Sequence, residues 1–242
     1  MSRGVGVMET LRDGVPEWTL EGFATVSLLG DLLVIVPALG LLYLADIGRS
    51  LVQGDRDRPL CSDRTALLVA AVFGGLALVV LLKAMFAFPR PPAELHVIEP
   101  SEHGFPSGHT MAATVFWGAL VLWLPVSQRS VRLAVAGVIV PLVGISRLAL
   151  GVHYLVDILA SMAFGAAYLA VIAWLTQGRP ERAFGVAIAV AVLGAVVTQG
   201  SGRAVLALVG TVGAAAGWWV VELRSIRKRL FDLFGHRFSR YR

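Results

Sequence analysis

Seven apolar runs parted by short polar stretches dominate the chain. They lie near Phe23 to Ala45, Ala66 to Phe88, His109 to Val126, Val131 to Ser146, Tyr154 to Thr176, Phe184 to Thr198 and Ala204 to Val221. A bilayer hydrocarbon core of about 30 Å takes about 20 helical residues to cross, so the pattern predicts transmembrane helices. The fourth and sixth runs are short, and the sixth and seventh are rich in Gly and Ala. Such residues suit close helix packing but blur the ends of a span, so six to eight spans fit the pattern. The expected fold is all-α, a polytopic transmembrane helical bundle of about seven spans. Residues 1–222 read as a single membrane-embedded unit and residues 223–242 as a basic amphipathic tail. The first 22 residues hold Glu9, Asp13, Glu17 and Glu21 and no apolar core, which does not predict a cleaved signal peptide.

Composition fixes the medium. With 57% hydrophobic and 15% charged residues, the chain lies far from soluble averages and reads as an integral membrane protein. The single Cys61 has no second cysteine, which excludes an intramolecular disulfide and a cysteine-rich metal site. A net charge of +5 could point to nucleic acid, but the cations gather in loops beside apolar runs and in the tail. That distribution favours the anionic headgroups of a lipid bilayer over nucleic acid.

Cytoplasmic loops accumulate Lys and Arg. With seven spans, one side carries the amino-terminal segment and the loops after the second, fourth and sixth runs. Apart from Lys83, Arg90 and Arg147, that side holds only Arg3, Arg12 and Arg203, against fifteen cations opposite, seven of them in the tail from Arg224 to Arg242. The expectation is a cytoplasmic C-terminus, with the cation-poor side facing out of the cytoplasm.

Three short segments on that outer side carry candidate chemistry: Lys83-x6-Arg90-Pro91, Pro106-Ser107-Gly108-His109, and Ser146-Arg147-x5-His153-x3-Asp157. The second opens the third run, where a helix start offers unpaired N–H groups and the positive end of the dipole, and Gly108 lets an anion approach. It also reads as an ordinary helix start capped by a serine. In the third segment Asp157 lies four residues after His153, on one helix face. A carboxylate there can hold the imidazole Nδ1–H and leave Nε2 to attack, or it can simply stabilise a helix end. Lys83 sits just inside the membrane boundary, where an ammonium either snorkels or meets an anion. The plainer readings do not explain why all three segments share one face, or why that cation-poor face concentrates its cations in them. Three permanent cations, two histidines and a carboxylate suit an oxyanion substrate, a nucleophile and a proton donor.

These segments resemble the three-part signature of the type 2 phosphatidic acid phosphatase and haloperoxidase superfamily, in its membrane lipid phosphatase branch. All eleven specified residues are present, spanning residues 83 to 157. The resemblance implies an all-helical core and a metal-independent phosphatase, without cofactor, working through a phosphohistidine. It implies His153 as nucleophile, Asp157 as its orienting partner and His109 as the general acid. It further implies that Lys83, Arg90 and Arg147 hold the phosphate oxygens, that Ser107 and the Gly108 backbone complete the cradle, and that Ser146 supports it. Many membrane members place three spans before the first segment and one after the third, whereas this chain has two before and three after. The motif side also lacks a tight carboxylate cluster such as a two-metal site needs.

The expected function is a membrane phosphatase hydrolysing a lipid phosphate or polyprenyl diphosphate. One alternative is a lipid phosphotransferase using the same phosphohistidine, and another is a non-catalytic phospholipid transporter or channel. Asp31 lies inside the first run and could pair with Lys83 or reach headgroup water. His96, Glu99, Glu102 and His103 read as solvated loop residues, and Trp117, Trp123, Trp174, Trp218 and Trp219 as belt or packing residues.

Overall fold

A computed structural model of the chain describes residues 5–53, 58–100, 103–124 and 126–235. The helices run α1 (Val5–Gly14), α2 (Leu20–Ser27), α3 (Leu32–Gln53), α4 (Asp63–Phe86), α5 (Gly108–Trp123), α6 (Arg129–Ala149), α7 (Leu155–Thr176), α8 (Pro180–Val197), α9 (Gly202–Glu222) and α10 (Arg224–Leu230). A turn of π-helix follows over Phe231–Gly235. Among the described residues six helices, α3, α4 and α6 to α9, are long and apolar enough to cross a membrane, while α5 holds the third apolar run in 16 residues. The architecture is the expected all-helical transmembrane bundle.

The first run departs from expectation. In place of one helix from Phe23 to Ala45, α2 stops at Ser27, a 3-10 turn covers Leu28–Gly30, and Asp31 is extended (φ −93°, ψ 148°) before α3 begins. The cause is local: Asp31 Oδ1 accepts the Leu33 N–H at 2.8 Å and so caps α3. A short acidic side chain offers the backbone an alternative to continuing the helix.

α4 forms the centre, with Ala66 to Val72 buried among α5, α7 and α8, and the Tyr168 hydroxyl of α7 donates to the Ala71 carbonyl at 2.9 Å. Leu33 and Leu41 of α3, Leu133 of α6 and Leu206 of α9 are exposed, as suits helices whose outer faces meet acyl chains. α1 and α2 pack on α6, with Met8 buried. A small second core of Leu51, Leu60 and Phe231 joins the ends of α3 and α9 to the segment after α10. The rest of the tail, residues 236–242, lies outside the described residues, as does Glu102.

Three connections gather the signature segments at one end of the bundle. α4 closes on Ala87 in the left-handed region, whose N–H bonds the Lys83 carbonyl at 2.9 Å. The loop then folds back, with Gly104 N–H on the Phe88 carbonyl (2.8 Å) and Val97 N–H on the Leu150 carbonyl (3.1 Å). α6 turns into α7 through Gly151 at φ 72°, a conformation that favours glycine.

Candidate active site

His153 and Asp157 are fully sequestered, 1% and 0% exposed, with Nδ1 3.2 Å from Asp157 Oδ2. The same oxygen accepts the Tyr154 N–H at 2.9 Å, so the carboxylate is fixed by the first turn of α7 while it fixes the imidazole. With Nδ1–H donating, Nε2 carries the lone pair. Arg90 Nη1 stands 3.2 Å from that nitrogen and donates to the Val152 carbonyl at 2.7 Å.

Burial, and after it the charges of Arg90, Lys83 and Arg147, hold the His153 imidazole well below its ordinary value of 6.5. The ring is therefore neutral at physiological pH. Burial also brings the Arg90 guanidinium down to about 10, with Asp157 opposing the shift and Arg203 adding to it. Arg90 remains a cation at neutral pH. Arg203, on the first turn of α9, thus lies within electrostatic reach of the site. The sequence marks it only as an outer-side cation, because nothing local signals an electrostatic influence exerted across the bundle.

Lys83 Nζ donates to the His103 carbonyl at 2.8 Å, and its Cε passes the α carbon side of Gly108, where an added Cβ would stand 3.4 Å away. Lys83 thus makes this contact with the loop before α5, while Asp31, one of whose two readings is a pair with Lys83, meets His109. Arg147 is 3% exposed, and its Nε is buried with no hydrogen-bond partner. A buried guanidinium nitrogen without an acceptor is costly, and an anion would satisfy it.

Ser107 N-caps α5. Its N–H bonds the Asp157 carbonyl at 3.4 Å, its hydroxyl pairs with Thr110 Oγ1 at 3.0 Å, and Ser161 Oγ ties the Ser107 and Asp157 carbonyls at 3.0 and 2.6 Å. This lashing holds the starts of α5 and α7 side by side. The Gly108 and His109 amides head the helix, where backbone donors lack intrahelical acceptors. The Ser146 hydroxyl donates to the Val143 carbonyl of its own helix at 2.7 Å, so its one proton is engaged within α6. His109 Nε2 stands 3.0 Å from Asp31 Oδ2. Of the loop residues, His96 Nε2 lies 3.0 Å from the Pro91 carbonyl.

Residues 64–181 match the family model described as the PAP2 superfamily. That match takes in just under half of the chain and includes all three signature segments. A crystal structure described as the first transmembrane PAP2-type phosphatidylglycerolphosphate phosphatase, from Bacillus subtilis, aligns over 72% of this chain and 84% of its own, with a TM-score of 0.57 and 25% identity. Phosphatidylglycerophosphatase B of Bacillus subtilis is 39% identical over 28% of this chain and 37% of its own length. Decaprenylphosphoryl-5-phosphoribose phosphatase of Mycobacterium tuberculosis is 34% identical over 46% of this chain and 60% of its own. The chain thus spans between about a third and three fifths of the length of the curated relatives it matches.

Proposed function

We propose that this protein is a member of the PAP2 superfamily and a lipid phosphate or polyprenyl diphosphate phosphatase that works through a phosphohistidine on His153 without a metal. The observation that carries the reading is the His153–Asp157 pair at 3.2 Å, with the Nε2 face turned toward Arg90. An incoming phosphate takes the Arg90 donor from the imidazole, and the oxygens are shared among Arg90, Arg147 and Lys83. Nε2 attacks phosphorus, the P–O bond to the lipid breaks, and His109 protonates the leaving oxygen. As the ring becomes cationic, Asp157 stabilises it through Nδ1–H. Water then attacks phosphorus, the P–N bond breaks, His109 takes the water proton, and inorganic phosphate departs.

Lys83, Arg90 and Arg147 supply the charge neutralisation that a metal provides elsewhere. Among the described residues, no three His, Cys, Asp or Glu side chains gather as a metal site would require. The relatives support a lipid substrate, since their names describe phosphatases of phosphatidylglycerophosphate and of a decaprenyl-linked phosphoribose. The loop cation distribution supports an active site facing out of the cytoplasm, with a cytoplasmic C-terminus. The domain reading is one phosphatase unit over residues 1–222 and a tail that binds the inner leaflet.

The test is phosphate release by detergent-purified protein in EDTA from phosphatidate, phosphatidylglycerophosphate and undecaprenyl diphosphate. Turnover of at least one substrate is expected. Binding without turnover would favour the transporter reading, and phosphate transferred to an added alcohol in place of water would favour a phosphotransferase.

A further inference from the structure

The break in the first apolar run has three separate ties to the first three turns of α5. Gly30 lies so close that a Cβ there would meet the His109 carbonyl oxygen at 2.3 Å. Trp117, eight residues beyond His109 on the same helix face, donates its indole N–H to the Leu29 carbonyl at 3.2 Å. Asp31 follows directly, with Oδ1 capping α3 at the Leu33 N–H and Oδ2 3.0 Å from His109 Nε2. The backbone approach requires a residue without a side chain at position 30, and the indole fixes the register. The carboxylate is therefore aimed by the break and is not simply placed at random in an apolar segment.

We propose that Asp31 is a positioning residue for the general acid: it holds Nε2–H of His109 and leaves Nδ1 as the nitrogen that gives its proton to the leaving oxygen. This rests on the phosphatase reading above. Burial, and after it the charges of Arg147 and Lys83, disfavour a second proton on His109. A carboxylate 3.0 Å away offsets that repulsion. In the first step the imidazolium passes its Nδ1 proton to the departing alkoxide and becomes a neutral ring with its remaining proton on Nε2. The Nδ1 lone pair then accepts the proton of the water that attacks the phosphohistidine, and the imidazolium is restored. Asp31 keeps its hold on Nε2–H throughout, as orienting carboxylates do beside catalytic histidines. Its contribution should therefore scale with how badly the leaving group needs a proton.

The experiment compares wild type, Asp31→Asn, His109→Ala and the double variant on dioleoyl phosphatidate and on p-nitrophenyl phosphate, measuring the single-turnover rate of leaving-group release and KM separately. Asn retains an oxygen for the Leu33 N–H, so α3 keeps its cap, while its amide replaces the negative charge facing His109. For Asp31→Asn, the rate of leaving-group release from phosphatidate should fall about 100-fold with KM little changed, and that from the aryl ester, whose leaving group departs without protonation, should fall about threefold at most, while hydrolysis of the shared phosphoenzyme slows alike for both. In the His109→Ala background, Asp31→Asn should add nothing. Equal losses on both substrates, a loss confined to KM, or additive losses in the double variant would each overturn the proposal and leave Asp31 a structural cap. Turnover of neither substrate by wild type would instead defeat the phosphatase reading, and this inference with it.

Discussion

Replacing Asp157 by Asn should disable the enzyme without unfolding it. The carboxylate is fully buried and lies 3.2 Å from His153 Nδ1. When Nε2 bonds to phosphorus the ring acquires a positive charge, and two opposite unit charges 3.2 Å apart at an effective dielectric constant of about 20 attract by about 5 kcal/mol. At 1.36 kcal/mol per decade this is worth between about 10³- and 10⁴-fold in kcat, comparable to the cost of the same change in a serine protease triad. The Asn side chain can still accept the Tyr154 N–H, so the first turn of α7 keeps its cap. The measurement is single-turnover phosphate release from a lipid phosphate, alongside thermal unfolding of wild type and variant in the same detergent. A stable variant with less than about a tenfold loss would refute the claim that Asp157 stabilises a cationic ring.

Arg147→Ala should lower kcat by about 10²- to 10³-fold, because Arg147 has a buried Nε without a protein acceptor, and Arg147→Lys should not restore it, since an ammonium lacks the guanidinium fork; recovery to wild-type kcat with Lys would contradict this. The pH–rate profile should carry the sign of a depressed His153: the lone pair needed for attack is present above the folded-state value, so the acidic limb of kcat/KM should have its midpoint below 6.5, the ordinary imidazole value, and a midpoint above it would count against the buried, cation-surrounded nucleophile. Gly30→Ala should separate the break from α5 and reduce lipid phosphate turnover more than aryl phosphate turnover, whereas unchanged kinetics would show that the contact at the His109 carbonyl does not govern the acid. Phe231→Ala should destabilise the fold by about 3 kcal/mol by emptying the small core around Leu51 and Leu60, with kcat preserved in the folded fraction because that core lies at the opposite end from the site; a selective loss of kcat would tie that end of the chain to catalysis.

The helical bundle was legible because transmembrane helices advertise themselves by length and apolarity, and six of the seven runs became helices close to their expected bounds. The His153–Asp157 pair was legible because four-residue spacing on a helix start is a local relation that the backbone enforces. The break at Asp31 was not, since one carboxylate barely lowers the apolarity of a long run and a cap depends on local geometry. Its partner depended on a contact between residues 78 positions apart, which sequence spacing does not encode. Arg203 was overlooked for the same reason. The inward bond of Ser146 to the Val143 carbonyl, by contrast, is the ordinary habit of a serine inside a helix and could have been anticipated from its position.

The central claim is a covalent phosphohistidine at His153, and the most direct measurement is to trap it. Detergent-purified protein in EDTA would be mixed with radiolabelled phosphatidate, quenched within one turnover, and digested for mass spectrometry under alkaline conditions that preserve phosphohistidine. The account predicts label on the peptide containing His153, absent in His153→Ala and accumulating in His109→Ala with an aryl phosphate whose leaving group needs no proton. Label on another residue, or full turnover by folded His153→Ala, would contradict it.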